Sequence, residues 1–202
     1  MLVAVQAVEL VWVGLTFAGV EHSSVRGGTI HLGFLPYSHS IGSGLFIALV
    51  AFAALFRVPP RARLGVAVAL GVLSHLVLDV IQHEPDIALV PFGDGPRLGL
   101  GLMNSPWLNL AVEVAIGFAC VRVFRGRPAL YVGVLLFNLA NLPTMLQPRA
   151  IVDLVVRWPI VLPTLILVQI VATWVFVAWG ARRATPDAAL RSTNSAPTLQ
   201  TT

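Results

Sequence analysis

The chain has 202 residues, 57% of them hydrophobic and only 11% charged, with a formal net charge of +4 and a mean hydropathy of +0.85. A soluble domain carries about a quarter charged residues, so this composition excludes one and reads as an integral membrane protein. The basic balance does not point to nucleic acid, because the arginines stand in short clusters at the ends of apolar runs, as membrane topology signals do.

Six runs approach the roughly 20 helical residues needed to cross a hydrocarbon core of about 30 Å. The first, Leu2 to Val20, has no basic residue ahead of it and carries Glu9, so it reads as a helix and not a signal peptide. A loop from Glu21 to Ser40 follows (EHSSVRGGTIHLGFLPYSHS), then a short run from Ile41 to Phe56 and a third from Leu64 to Ile81. The loop from Gln82 to Pro106 contains FGDGPRLGLGLMNSP, which lacks a phosphate-binding pattern and reads as a packed lid or re-entrant turn. Runs four to six are Trp107 to Phe124, Ala129 to Leu146 and Pro159 to Gly180. Between the last two, Arg149, Asp153 and Arg157 at spacing four predict a short helix lying along the membrane and held by charge pairs. Cys120 lies alone inside an apolar run and can build neither a disulfide nor a thiolate site within one chain.

Nine arginines (Arg57, Arg61, Arg63, Arg122, Arg125, Arg127, Arg182, Arg183 and Arg191) fall on one side of this alternation and four on the other. The positive-inside rule then places both termini in the cytoplasm and the loops 21–40 and 82–106 outside. The expected fold class is all-α, an integral membrane helical bundle of about six transmembrane helices. Residues 1–184 would form the bundle, with an outward-facing polar cavity, and the polar stretch 185–202 a disordered cytoplasmic tail.

The chemistry concentrates in SHLVLDVIQHEPD, Ser74 to Asp86. His75, Asp79 and His83 recur at spacing four and so stack along one helix face. His75 would lie about 10 Å below an exit near Gln82, and Pro85 would end the helix with Glu84 and Asp86 at the mouth. An ionised Asp at a helix centre costs about 2.5–3.5 kcal/mol, so it needs a partner or a wet cavity. The preceding outward loop offers Glu21, His22, His31 and His39, so all five histidines of the chain belong to the outward half. Neutral imidazole with carboxylate suits a divalent metal, zinc first, with manganese or iron as alternatives. A His–Asp pair that pins two helices, or a proton relay, would use the same residue types. Glu9 and Glu113 are the remaining intramembrane acids, each open to a role as ligand, general base, partner orienting a histidine, or protonated acid bonded to a neighbouring helix.

PYSHS at Pro36 to Ser40, SHLVLD at Ser74 to Asp79 and HEPD at His83 to Asp86 resemble the membrane-bound metal-dependent hydrolases often called YdjM-like. The likeness extends to VEH at Val20 to His22 and LGLGLMNSP at Leu98 to Pro106, and so to about the first 110 residues. It implies a metal centre built from His39, His75, Asp79 and His83 in the inner (plasma) membrane of a bacterium. Members of that family often begin with a Gly-His motif on a helix ahead of the one that here carries Glu9, so the resemblance implies either a truncated start or one lost ligand. The expected function is hydrolysis of a phosphoester or other ester of a lipid or envelope component, with Asp86 or Glu9 taking the proton of a metal-acidified water. Membrane lipid and a small-molecule or lipid substrate would be its partners, and nucleic acid would not. Glu21, His22 and Glu113 are additional candidates. Two rivals remain: a proton-coupled transporter using His75, Asp79 and Glu113, and a non-catalytic membrane scaffold.

Overall fold

In hydrocarbon every backbone amide must find its partner within its own segment, so long apolar runs without breakers wind into helices. The structure is a computed structural model that describes residues 2–56, 62–93 and 95–182. The expected tail 185–202 and Arg57, Arg61, Arg183 and Arg191 lie outside the described residues. The helices are α1 (Leu2–Val5), α2 (Ala7–Phe17), α3 (Ile41–Phe56), α4 (Ala62–Gln82), α5 (Pro106–Val123), α6 (Pro128–Leu146), α7 (Arg149–Arg157) and α8 (Val161–Arg182). By length and composition α4, α5, α6 and α8 can each cross a membrane, whereas α2 and α3 are apolar but shorter. The first run differs from expectation in being broken at Gln6, whose backbone leaves the helical region at ψ 9°. Proline opens both α5 and α6, where its missing N–H costs nothing and its fixed φ suits the first turn.

Lipid tails give helices little hydrophobic reason to associate, so close packing through small residues holds such bundles together. At Gly44 of α3 a Cβ would be driven into the Leu76 side chain of α4, and at Gly133 of α6 into the Phe176 ring of α8. Gly117 of α5 receives Val134 of α6 in the same way. Helix α2 is the hub of the core: its Val8 packs with Ala48 and Val72 of α3 and α4, and its Trp12 and Val13 pack with Leu35, Val155 and Leu162. Large apolar side chains such as Phe46, Leu49, Val77, Leu136 and Val168 point away from the bundle, the surface that acyl chains would cover.

The loop 21–40 is more ordered than the sequence suggests. It folds as an antiparallel hairpin of β1 (His22–Arg26) and β2 (Thr29–Phe34). Gly27 and Gly28 form its turn with φ of 59° and 84°, the two-residue primed geometry that matches strand twist and that only such residues adopt readily. The Gln147 amide, just after α6, accepts from Ile30 N–H at 2.6 Å and donates to Ile30 O at 3.4 Å, which fastens β2 to the bundle.

The second loop closes over the end of α4. Strands β3 (Ile87–Ala88) and β4 (Arg97–Leu98) pair antiparallel. Beyond them Leu100 N–H donates to Val80 O at 2.8 Å and Gly101 N–H to His83 O at 2.6 Å, so carbonyls that a helix end leaves unpaired find partners. A Cβ on Gly99 would run into the backbone carbonyls of His83 and Glu84. Helix α7 buries Val152 and Val155 in the core around Trp12. Its expected charge pairs do not form among the described residues, and Arg157 instead lies over the Trp158 ring at 5.9 Å.

Candidate metal centre

Helix α4 carries His75 and Asp79 one turn apart, α2 presents Glu9 toward them, and the chain returning from the hairpin delivers His39 just before α3 begins. One ligand atom from each of these four side chains lies within 4.8 Å of all the others. His75 Nε2 is 3.6 Å from Glu9 Oε1 and 3.5 Å from Asp79 Oδ1, and His39 Nε2 is 3.6 Å from the same Glu9 oxygen. These separations exceed hydrogen-bond length. His39 Nε2, His75 Nε2 and Asp79 Oδ2 are all buried without a hydrogen-bond partner. Each such orphan costs about 1–3 kcal/mol, and the gathering of the four side chains within 4.8 Å fits a cation held between them. Two imidazole nitrogens and two carboxylate groups are a donor set for zinc, and also for manganese or iron.

The orientation of His39 has an identifiable cause. Glu21, fully buried at 1% exposure, accepts the Tyr37 and Ser38 amides at 2.8 and 2.9 Å and the Ser38 hydroxyl at 2.6 Å. Ser38 Oγ also lies 2.8 Å from His39 Nδ1. A hydroxyl has one proton to give, and Ser38 gives it to Glu21, so it accepts from His39 Nδ1–H. That fixes the tautomer and leaves the Nε2 lone pair facing Glu9, the arrangement that carboxylate-backed metal histidines use. Burial opposes a charge on His39, but the adjacent Glu9 carboxylate outweighs it and holds the imidazole above its ordinary value.

The remaining candidates separate. His83 Nδ1 faces Asp86 Oδ1 at 3.3 Å, and its ring centroid is 5.9 Å from that of His39, so this pair stands beside the four-atom cluster and not within it. Glu113 accepts Gln82 Nε2 at 2.6 Å and Asn109 Nδ2 at 3.1 Å, apart from the cluster. His22 is exposed and stacked on Phe34, and His31 meets Glu84 at 3.5 Å on the rim. Glu21 reaches the centre only through Ser38. Sequence reasoning missed the Ser38 hydroxyl, although its place between Tyr37 and His39 in PYSHS was a usable signal. It also missed Asn109 and Gln82, whose importance depends on which helices meet.

Two cavities open on the centre. One of about 360 Å³ lies under the loops, against Leu35, Tyr37, His39, His83, Asp86 and Phe92. The other, about 430 Å³, runs between α2, α4, α5, α6 and α8 and is lined by Glu9, His75, Asp79, Gln82, Glu113 and Asn141 among others. His83 lines both.

Apolar helices joined at glycines, around a buried set of histidines and acids, define an integral membrane helical bundle. Residues 16–151 match the family model described as YdjM inner membrane protein, and the chain belongs to that family. The match takes in His39, His75, Asp79, His83 and Glu113, while Glu9 precedes it. No curated protein and no solved structure matches the chain.

Proposed function

We propose that the protein is a metal-dependent hydrolase of the inner membrane that cleaves a phosphoester or other ester of a lipid or envelope component. The observation that carries the reading is the cluster of Glu9, His39, His75 and Asp79, three of which leave a buried atom without a partner, His39 Nε2, His75 Nε2 and Asp79 Oδ2. A divalent metal bound there, zinc by preference, would acidify a water and polarise the scissile group. Glu9, His39, His75 and Asp79 hold it. His83, backed by Asp86 at 3.3 Å, is the group to take and return the proton, since it lines both cavities and lies next to His39 without belonging to the cluster. The arginine-poor loops 21–40 and 82–106 face outward by the positive-inside rule, with both termini cytoplasmic, so the centre opens toward the outer leaflet. A proton relay through His75, Asp79 and Glu113 is less well supported, because Glu113 bonds to Gln82 and Asn109 and has no direct contact with the other two.

Elemental analysis of the purified protein tests the metal, with Asp79→Ala and His75→Ala as controls. About one divalent ion per chain in the wild type, lost in both variants, is expected. Metal absent from wild type would sink the reading, and metal bound without turnover of any ester would leave a structural centre only.

A further inference from the structure

The larger cavity has a second polar pole that the metal centre does not use. Asn109 of α5 is 2% exposed, lines that cavity and spends its amide protons on Glu113 Oε1 and the Met145 sulfur. Its Oδ1 is buried with no hydrogen-bond partner. Gln82 donates to the same Glu113 oxygen, and Glu113 Oε2 has no hydrogen bond among the described residues. Because both amides turn their N–H groups toward Glu113, what the pole offers the cavity is acceptors: one carboxylate oxygen and one amide oxygen. No arginine lines the cavity, and its two histidines, His75 and His83, face Glu9, Asp79 and Asp86 instead of Glu113. The pole asks for a ligand that is positively charged and rich in N–H donors.

Asp79 and Gln82 leave α4 three residues apart, about 4.5 Å of helix rise, so the two poles are neighbours along one wall. We propose that Glu113 and Asn109, with Gln82 holding the Glu113 carboxylate in place, bind the primary ammonium of an aminoalkyl phosphoester lipid, with the phosphoester lying at the four-ligand centre. This names the substrate class of the proposed hydrolase and rests on that reading for the reacting group. An ammonium brings three donors and a charge, and a carboxylate receives it by charge-assisted hydrogen bonds that water-poor surroundings strengthen. A quaternary ammonium head lacks the N–H groups, and a glycerol head lacks the charge. Val112, Ile116, Leu162 and Ile166 supply the apolar wall for the glyceride portion.

Native mass spectrometry of the full-length, zinc-loaded protein with phosphatidylethanolamine, phosphatidylcholine or phosphatidylglycerol tests this. Phosphatidylethanolamine is expected to be retained about tenfold more strongly than either alternative, the effect of one charge-assisted bond. Glu113→Gln should erase the preference and Asn109→Ala should reduce it, both with metal content unchanged. Equal retention of the three lipids by the wild type overturns the proposal whether or not the variants fold, as does a Glu113→Gln protein that keeps the preference. The selectivity present without hydrolysis of any ester leaves this subsite standing and removes the hydrolase. Hydrolysis of phosphatidylglycerol as fast as phosphatidylethanolamine does the reverse.

Discussion

Ser38 touches no ligand oxygen, yet the position of His39 depends on it. With Ser38→Ala, Glu21 keeps its two backbone donors while His39 Nδ1 loses its acceptor. Loss of such an outer partner costs about 10- to 100-fold in metal affinity; chelator competition should show a drop of that size in a protein that still folds, with Ser38→Thr restoring most of it. His39 also sets a pH dependence. Its imidazole is held above the ordinary 6.5 by Glu9 against the opposing effect of burial. In metal-free protein that contact therefore stabilises fully below 6.5 and is lost as pH rises through the raised value. Metal reverses the sign, because binding requires neutral imidazole. Melting curves between about pH 5 and about pH 8, with chelator and with zinc, should show the metal-free protein weakening and the zinc increment growing as pH rises; parallel curves would remove the His39–Glu9 coupling. His75 and Asp79 were legible because spacing four is a local property of one helix. The contact of Glu9 with His39 was not, since 30 residues and a hairpin separate them and only the packing of α2 beside the start of α3 brings them together.

Elements meet where side chains are missing. Gly44 faces Leu76, the neighbour of His75 in the chain, so Gly44→Leu must push α3 off α4 at the level of the candidate ligands. Overpacking of this kind costs about 1–3 kcal/mol, and both the detergent melting temperature and the bound metal should fall. Gly133→Leu, which meets Phe176 between α6 and α8, should lower the melting temperature alone. The apolar runs read well as helices because composition fixes them, but the break at Gln6 has no proline or glycine to announce it. The hairpin was written in RGGT, Arg26 to Thr29, between residues that alternate too weakly to be read as strands. The anchorage of β2 through Gln147 is a contact between positions 117 apart, beyond the reach of any local pattern.

At the scale of the whole molecule, the arginine distribution makes a prediction about sidedness. In a Cys120→Ser background, a cysteine replacing the exposed Val25 of the hairpin should react with a membrane-impermeant maleimide added to intact spheroplasts. One replacing the exposed Phe124, at the α5–α6 turn, should react only after lysis. The opposite pattern would invert the chain and place the centre on the cytoplasmic face. Glu9, His39, His75 and Asp79 all precede α5, whereas the larger cavity takes walls from α5, α6 and α8. Chains emerge N-terminus first, so the ligand set is synthesised complete before the chamber that serves it has any of those walls. If the proposed metal binds there, its capture and the closure of the chamber would be separable events in biogenesis, and a metal acquired at the earlier one would be enclosed by helices that arrive afterwards.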